Sequence, residues 1–357
     1  MYAGIEHAGK SRRFAGRILA LGRHACAALS LACLALPPAL AAESAPDTSP
    51  PAARAQQELS VDALSVVKIR SKAVANARTS RTLGAQREGT GVVIDSEGLV
   101  LTIGYLILEA ETIELSTADG RAFPATVIGY DHASGFGLLK SLRPLPVKPV
   151  QFGQSAVIAE REMVLIVGFD GVAPAYVVSR RPFVGYWEYL LDDAIYTAPA
   201  TVNWSGAALL NREGRLLGIG SLVVGDAMGS RTQVPGNMFV PIDLLKPMLG
   251  DLIATGKRSG VPRPWIGVNT QEVQGNVIVT RISPESPAEE ASLRTGDIIV
   301  GLGGEAIKGQ ADFYHRIWSR GAAGVDIPLD VLRNGRVESV SVKSVDREQY
   351  LRPKPTY

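Results

Sequence analysis

The stretch GTGVVIDSEGLVLT, residues 89–102, decides the fold class. It contains two short apolar runs joined by a polar turn at Ser96–Gly98, which is the pattern of a β-hairpin. The same alternation of short apolar runs and turn signals occurs in residues 65–70, 112–117 and 125–130. Regularly spaced short strands of this kind are typical of an antiparallel sandwich or barrel. We therefore predict a mostly β fold for this part of the chain.

The downstream half of this region ends in a predicted helix. Residues Ile242–Thr255 (IDLLKPMLGDLIAT) space their apolar side chains three and four apart, although Pro247 and Gly250 weaken the pattern. Four strands and a hairpin turn are predicted before that helix: Met163–Val167, Ala175–Val178, Ala207–Leu210, the turn at Asn211–Gly214, and Arg215–Leu222.

A second, smaller β-rich domain follows a linker. The segment GKRSGVPRP, residues 256–264, has the glycine, proline and charge content of an interdomain connection. Beyond it, Ser286, Pro287 and Glu289 supply a cap, a first-turn proline and a capping-box acid, so a short helix should begin there. A second helix is predicted near Gln310–Ser319.

The amino terminus has the pattern of a secretion signal. A basic region extends through Arg23, an apolar run covers Ala25–Leu36, and small residues stand at Ala39 and Ala41. We expect cleavage after Ala41, which makes residues 1–41 the signal peptide and residues 42–60 a flexible tether. The alternative is an uncleaved membrane anchor, but the apolar run is shorter than the roughly 20 residues that a spanning helix needs.

Composition excludes several classes of function. The chain has 357 residues and a formal net charge of +2, but five basic residues and one acidic residue lie before Ala41, so the remainder is nearly neutral. A nucleic-acid-binding protein would carry a basic surface, and we expect no nucleic-acid partner. Both cysteines lie within the predicted signal, and no phosphate loop or metal-ligand spacing occurs. We therefore expect no metal and no cofactor.

Three motifs in order resemble the HtrA (Deg-type) branch of the trypsin-like serine proteases. They are residues 89–102, residues 208–221 (ALLNREGRLLGIGS), and the run from Val240 through the linker to Val268. The downstream domain resembles the PDZ domain that follows the protease domain in that family. A generic β-barrel with an appended β-rich domain is the alternative. The resemblance implies a trypsin-like double β-barrel at 61–257, a linker at 258–264, a PDZ domain at 265–346 and a tail at 347–357.

The resemblance also implies that the catalytic triad is incomplete. Serine proteolysis requires a nucleophile, an imidazole base, a carboxylate that orients the base, and backbone donors for the oxyanion. Tyr105 occupies the position of the family's histidine, and Gly135 occupies the position of its aspartate. Ser205 remains at the nucleophile position, within the altered motif Asn203–Ala207.

Other features of this site leave alternatives open. His132 is the one histidine of the protease-like domain, and a rescued triad through His132 or a serine–lysine dyad would restore activity, although we expect His132 to be a surface loop residue. Asn203 replaces a glycine of the oxyanion loop and could still adopt positive φ. Trp204 either covers the cleft beside Ser205 or packs against the barrel.

The PDZ-like domain retains its binding motif. Trp265, Ile266, Gly267 and Val268 match the family's carboxylate-binding loop, whose amides receive the terminal carboxylate of a peptide. Phe313 and Ile317 are predicted to line the groove. The alternative is that these apolar residues belong to the core and the groove is closed.

These features predict a periplasmic or secreted protein that binds unfolded or carboxyl-terminal segments of envelope proteins without cutting them, as a sensor or adaptor in protein quality control. One alternative is an active serine endopeptidase with a non-standard base. Another is a scaffold subunit that co-assembles with active relatives, because the family commonly forms trimers. A homotrimer is the oligomer that the resemblance implies.

Overall fold

The computed structural model describes residues 64–230 and 233–351. The first elements are β1 (Val66–Ala73), α1 (Ser80–Leu83), β2 (Gln86–Val93), β3 (Leu99–Ile103), β4 (Ala110–Ser116), β5 (Ala122–Tyr130) and β6 (Phe136–Ser141). Their strands close into a barrel in the order β1-β2-β3-β6-β5-β4. Alternate residues face the barrel interior, as Val67 and Ile69 of β1 do, and both are fully buried.

A second barrel follows in the chain. It comprises β7 (Met163–Gly168), β8 (Gly171–Gly185), β9 (Tyr189–Ala198), β10 (Ala208–Leu210), β11 (Leu216–Val224) and β12 (Gly236–Pro241). The strands close in the order β10-β11-β12-β9-β8-β7. The double β-barrel expected from the sequence is therefore confirmed.

The hairpin of β8 and β9 is longer than the sequence pattern predicted. The two strands have 15 and 10 residues, whereas the pattern indicated only a short strand at Ala175–Val178. Pairing continues from Tyr176 opposite Ala198 to Gly185 opposite Tyr189, with two irregularities in register. Each register shift reverses which side chains face the core, so the strict alternation by which a strand is recognised is lost.

The predicted helix over Ile242–Thr255 is broken. Residues Ile242–Leu244 form a 3-10 turn, and α2 begins only at Leu249 and ends at Thr255. Pro247 lacks an amide hydrogen and disfavours helical conformation in the residue before it, which explains the interruption. Gly256 then ends α2 in the left-handed conformation.

The second domain is a small sheet with short helices. Its main path runs β14-β15-β16-β18-β19, with β17 paired to β16 and β13 paired to β20. Its elements are β13 (Pro264–Trp265), β14 (Val268–Val273), β15 (Asn276–Ile282), α3 (Pro287–Glu290), β16 (Ile298–Leu302), β17 (Glu305–Ala306), α4 (Gln310–Ser319), β18 (Asp326–Arg333), β19 (Arg336–Lys343), β20 (Val345–Asp346) and α5 (Arg347–Leu351).

Both predicted helices of this domain are confirmed. Ser286 caps α3 by accepting a hydrogen bond from the amide of Glu289, and α4 covers Gln310–Ser319. The segment assigned to a tail differs from expectation at its start. Residues 347–351 form α5, whose Tyr350 ring lies 4.4 Å from that of Trp265. Contact with an aromatic partner of the domain gives this short helix an apolar surface to pack on.

The predicted signal peptide, the tether and the last six residues of the chain lie outside the described residues. Among the helices that the structure describes, none is long and apolar enough to cross a membrane. The double barrel and the smaller domain together contain all the candidate site residues.

Candidate active site and peptide groove

Ser205 lies on the loop between β9 and β10, where both barrels hold it in place. Its carbonyl oxygen accepts from the amide of Thr90 on β2 at 2.8 Å. The next residue, Gly206, donates to Gly220 on β11 and has a φ of 72°. A Cβ at Gly206 would lie 2.1 Å from the carbonyl oxygen of Thr90, so only glycine fits this close approach.

Tyr105 contacts Ser205 directly. Its hydroxyl lies 3.0 Å from the Oγ of Ser205 and 3.0 Å from the carbonyl oxygen of Ser221, and it hydrogen-bonds to both. Burial of the hydroxyl raises the pKa of Tyr105 above its ordinary value, so the phenol stays protonated at neutral pH. A neutral phenol is not a base of the strength that activates serine. The position that the resemblance gives to the histidine thus holds a hydrogen-bonding group without a basic nitrogen.

A buried arginine fixes the loop that carries Tyr105. The guanidinium of Arg87 donates to the carbonyl oxygens of Tyr105 and Leu108, at 2.9 and 2.7 Å. It also donates to the carbonyl oxygen of Gly84 and to the hydroxyl of Thr79. Arg87 is 6% exposed, and these four bonds satisfy a charged group that would otherwise be costly to bury.

Gly135 occupies a position whose backbone conformation disfavours an acidic residue. Its φ is 83°, a conformation that side-chain-bearing residues rarely adopt. A Cβ there would lie 3.4 Å from the hydroxyl oxygen of Tyr189, which itself donates to the carbonyl oxygen of Ser134 at 2.6 Å. The carbonyl oxygen of Gly135 accepts from the amide of Gly104 at the start of the Tyr105 turn.

The oxyanion loop differs from the sequence expectation. Asn203 does not adopt positive φ, and its amide donates to the hydroxyl of Thr201 at 3.3 Å. One of the two amides that could receive an oxyanion is therefore engaged within the loop. Trp204 lies beside the nucleophile position, with its ring 6.3 Å from that of Tyr105 and tilted by 56°.

The two histidines within the described residues pack elsewhere. His132 packs edge-on against Tyr130, with 4.4 Å between ring centroids, and its Nδ1 is buried with no partner among the described residues. His132 lies in the turn between β5 and β6, as expected, but it is only partly exposed and its Nδ1 is buried. Burial lowers the pKa of His132 well below its ordinary value. His315 lies on α4, 3.7 Å from Asp192.

The predicted carboxylate-binding loop receives a carboxylate of the same chain. The amides of Ile266, Gly267 and Val268 all donate to the side chain of Glu188, which is 5% exposed. Burial raises the pKa of Glu188 to about 7, although the three amides favour the ionised form. Gly267 has a φ of 90°, and a Cβ there would lie 2.3 Å from Ser286, so the loop requires glycine.

The predicted apolar lining of the groove is buried. Phe313 and Ile317 on α4 are fully buried in one cluster with Ile266, Val268 and Leu190, the last of which comes from β9. Trp265 is 6% exposed and packs on Tyr350 instead. The structure therefore brings the loop and the apolar lining together, but with residues of the β8–β9 hairpin between them and solvent.

Sequence reasoning missed the residues that meet this loop. Tyr186, Glu188, Leu190, Gln310 and Tyr314 were not among the expected site residues, and neither was Arg87 at the Tyr105 loop. The one available signal was the run YWEY at 186–189, an acidic residue within an aromatic cluster. Nothing in that run indicates which surface it contacts, because the contact joins residues about 80 positions apart.

Two barrels that enclose a serine, followed by a PDZ-like sheet, define the class of trypsin-like peptidases with a PDZ domain. The trypsin-like peptidase domain family matches residues 89–219, and the PDZ domain family matches residues 264–344. The chain belongs to the HtrA family of these proteins.

Named relatives agree with this assignment. A "Probable periplasmic serine endoprotease DegP-like" of Pseudomonas fluorescens is 29% identical over 289 residues, which are 74% of this chain and 57% of that protein. The "Periplasmic pH-dependent serine endoprotease DegQ" of Escherichia coli is 29% identical over 273 residues, which are 71% of this chain and 58% of that protein. The chain thus spans somewhat more than half the length of these relatives.

Two solved protease structures are similar to this chain over most of its length. The HtrA-type protease AlgW with decapeptide is 22% identical, with a TM-score of 0.48, over 82% of this chain and 97% of that one. The serine endoprotease from Yersinia pestis is 23% identical, with a TM-score of 0.47, over 80% of this chain and 94% of that one.

Proposed function

We propose that this chain is a non-proteolytic HtrA-family protein of the periplasm that binds polypeptide segments through its PDZ groove. The observation that carries the proposal is the hydrogen bond between Ser205 and the phenol of Tyr105. Serine is a weak nucleophile unless an adjacent base takes its proton. Tyr105 cannot do this while it is protonated, and Gly135 offers no carboxylate to orient a base.

The binding half of the proposal rests on the carboxylate loop. Three consecutive amides converge on one carboxylate, and the following strand, β14, supports pairing with an extended chain. This is the chemistry by which a peptide end is captured in a backbone nest beside a strand edge. The periplasmic location is proposed from the names of the relatives and from the predicted signal peptide.

Proteolysis is tested with unfolded casein and a fluorophosphonate probe, using the purified protein, its Ser205→Ala variant and an active trypsin sample. We expect no cleavage above the level of the Ser205→Ala variant and no serine-dependent labelling. Loss of triad members leaves at most about 10³ to 10⁴-fold acceleration over water, which is negligible for peptide bonds. Cleavage and labelling that disappear with Ser205→Ala would establish the alternative, an endopeptidase with an unrecognised base.

A further inference from the structure

The tip of the β8–β9 hairpin fills the carboxylate loop of the PDZ domain. The amide of Gly267 lies 2.7 Å from Glu188 Oε1, that of Val268 lies 3.0 Å from the same atom, and that of Ile266 lies 3.1 Å from Oε2. Charge-assisted bonds of this length from three adjacent amides are what a terminal carboxylate would receive. Glu188 supplies the same group from a side chain.

One main-chain hydrogen bond extends the contact from the carboxylate loop onto β14. The amide of Thr270 on β14 donates to the carbonyl oxygen of Tyr186 at 2.8 Å. Tyr186 precedes Glu188 by two residues, and Thr270 follows Val268 by two. The contacts of the hairpin turn at 186–188 therefore follow β14 in the opposite chain direction, with the carboxylate of Glu188 at the loop, which is the order in which a peptide added antiparallel to β14 would make them.

Helix α4 closes the other side of the hairpin tip. The hydroxyl of Tyr314 and the side-chain amide of Gln310 both donate to the carbonyl oxygen of Gly185, at 3.0 and 3.1 Å. The amide of Glu188 donates to the hydroxyl of Tyr314 at 3.2 Å. Every main-chain group named here thus has a partner on the PDZ domain, as a docked peptide backbone requires.

The conformation of Glu188 is unusual for its residue type. Its φ is 53°, in the left-handed region that glycine and asparagine favour. Such a conformation persists where surrounding contacts hold it, and it commonly marks a functional position. Here the contacts that hold it are the three loop amides and the Tyr314 hydroxyl.

We propose that Glu188 is a built-in ligand that keeps the PDZ groove closed, and that a chain end must displace it to bind. The proposal rests on the proposed function only for the identity of the competing ligand. Glu188 provides the carboxylate, while Leu190 provides the apolar side chain beside Phe313 and Ile317. A competing chain end must supply both groups from its last residue. The fitting partner therefore has a free terminal carboxylate and an apolar final side chain.

Closure by a tethered group strongly disfavours weak competitors. A ligand on the same chain acts at a millimolar effective concentration, which competitors in solution rarely reach. The apparent affinity for a free peptide equals the intrinsic affinity of the open groove multiplied by the fraction of time that the groove is open. If the groove is open for less than a tenth of the time, removal of the built-in carboxylate raises peptide affinity by at least about tenfold.

The first experiment tests the closure without any peptide. Hydrogen exchange of the amides at residues 266–268 is measured in the whole protein and in its Glu188→Ala, Glu188→Gln and Asp192→Ala variants. Asp192 is the matched control, because it lies on the same hairpin and its side chain faces His315 instead of the loop. We expect exchange to accelerate most in Glu188→Ala, less in Glu188→Gln, and not at all in Asp192→Ala.

The second experiment titrates a labelled octapeptide, RPFVGYWL, which copies residues 181–187 and places leucine with a free carboxylate at the position of Glu188. We expect Glu188→Ala to bind it at least about tenfold more tightly than the unaltered protein or Asp192→Ala. The amidated peptide should bind none of them measurably. Thermal melts establish that each variant is folded. If Glu188→Ala does not fold, Glu188→Gln replaces it in the titration.

The outcomes separate the two proposals. Unchanged exchange at 266–268 in both Glu188 variants, or equal peptide affinity with and without Glu188, would overturn the built-in ligand. Accelerated exchange without binding of either peptide would support the closure and contradict peptide binding as the function. Accelerated exchange with tighter, carboxylate-dependent binding supports both.

Discussion

The cleft at Ser205 and the PDZ groove differ in opposite ways from the sites that the family resemblance implies. In the cleft, the nucleophile position is intact, but its neighbour is a phenol that hydrogen-bonds to Ser205 without offering a basic nitrogen. In the groove, every amide donor of the carboxylate loop is present, but Glu188 already occupies them. A missing base removes a chemical step, whereas an added internal ligand shifts an equilibrium. We therefore propose that a competing chain end can reopen the groove, whereas a competing molecule would not supply the base that the cleft lacks.

The largest effect is expected at Gly267, where the groove depends on backbone geometry. Gly267→Ala should destabilise the PDZ domain by about 2–4 kcal/mol and abolish peptide binding, because its Cβ would meet Ser286 at 2.3 Å in a left-handed conformation. Gly275→Ala is the matched control, since it has a φ of 79° but open space around it, and should cost about 1 kcal/mol. Calorimetric melts of both variants provide the comparison, and equal losses would contradict the steric explanation.

The next largest effect is the pH dependence of peptide binding, which concerns the groove and not the cleft. The pKa of Glu188 is about 7 in the docked hairpin and near its ordinary value of 4.5 when the hairpin is released. The docked state thus binds more protons between these values, and docking is strongest below about pH 4.5 and weakens as pH rises through about 7. Affinity for the RPFVGYWL peptide should therefore increase at least about tenfold from pH 5 to pH 8.

The control for this pH dependence is Glu188→Gln, whose affinity should stay flat over the same range. His315→Gln is introduced in both proteins, so that the contact between His315 and Asp192 is absent from the comparison. Burial keeps the pKa of Tyr314 above its ordinary value, so its hydroxyl, which faces Glu188 from α4, stays neutral. A rise that survives in Glu188→Gln would assign the effect to another group. The other ionisable groups that line the cavity beside Glu188 are Tyr130, Asp131, His132, Tyr189, Lys257, Arg258, Arg263, Asp346, Arg347 and Glu348.

A smaller effect is expected at the hydroxyl of Tyr105. Tyr105→Phe removes hydrogen bonds to Ser205 and to the carbonyl of Ser221 and should cost about 1 kcal/mol of unfolding free energy. Ser205→Ala and the double variant complete a mutant cycle, with an expected coupling of about 0.5–1 kcal/mol. Urea unfolding of the four proteins measures it. Additive effects would mean that the two hydroxyls do not stabilise each other.

The smallest expected effect is the gain of activity on restoring the family's residues. Tyr105→His combined with Gly135→Asp should not produce casein cleavage above the Ser205→Ala background. The aspartate would require a residue at a φ of 83° beside the hydroxyl of Tyr189, and the amide of Asn203 would remain engaged with Thr201. Measurable, serine-dependent cleavage would show that the cleft retains a usable oxyanion site.

Local patterns were sufficient to predict much of this molecule. Short apolar runs predicted the strands, the resemblance predicted their double barrel, the Ser286 cap predicted α3, and the spacing in residues 310–319 predicted α4. The motif around Gly267 identified the carboxylate loop, because a left-handed glycine and consecutive amides are properties of one short segment. Pro247 carried the signal that breaks the helix after Leu244, although the apolar spacing outweighed it in the prediction.

The sequence alone determined the order of the two domains, the positions of Ser205, Tyr105 and Gly135, and the loop at 265–268, since each depends on neighbours in the chain. Tertiary structure decided which groups meet. It brought the phenol of Tyr105 to Ser205 across 100 residues and the carboxylate of Glu188 to the loop across about 80. Such contacts depend on how two surfaces pack, and periodicity within a segment carries no record of the surface that the segment will face.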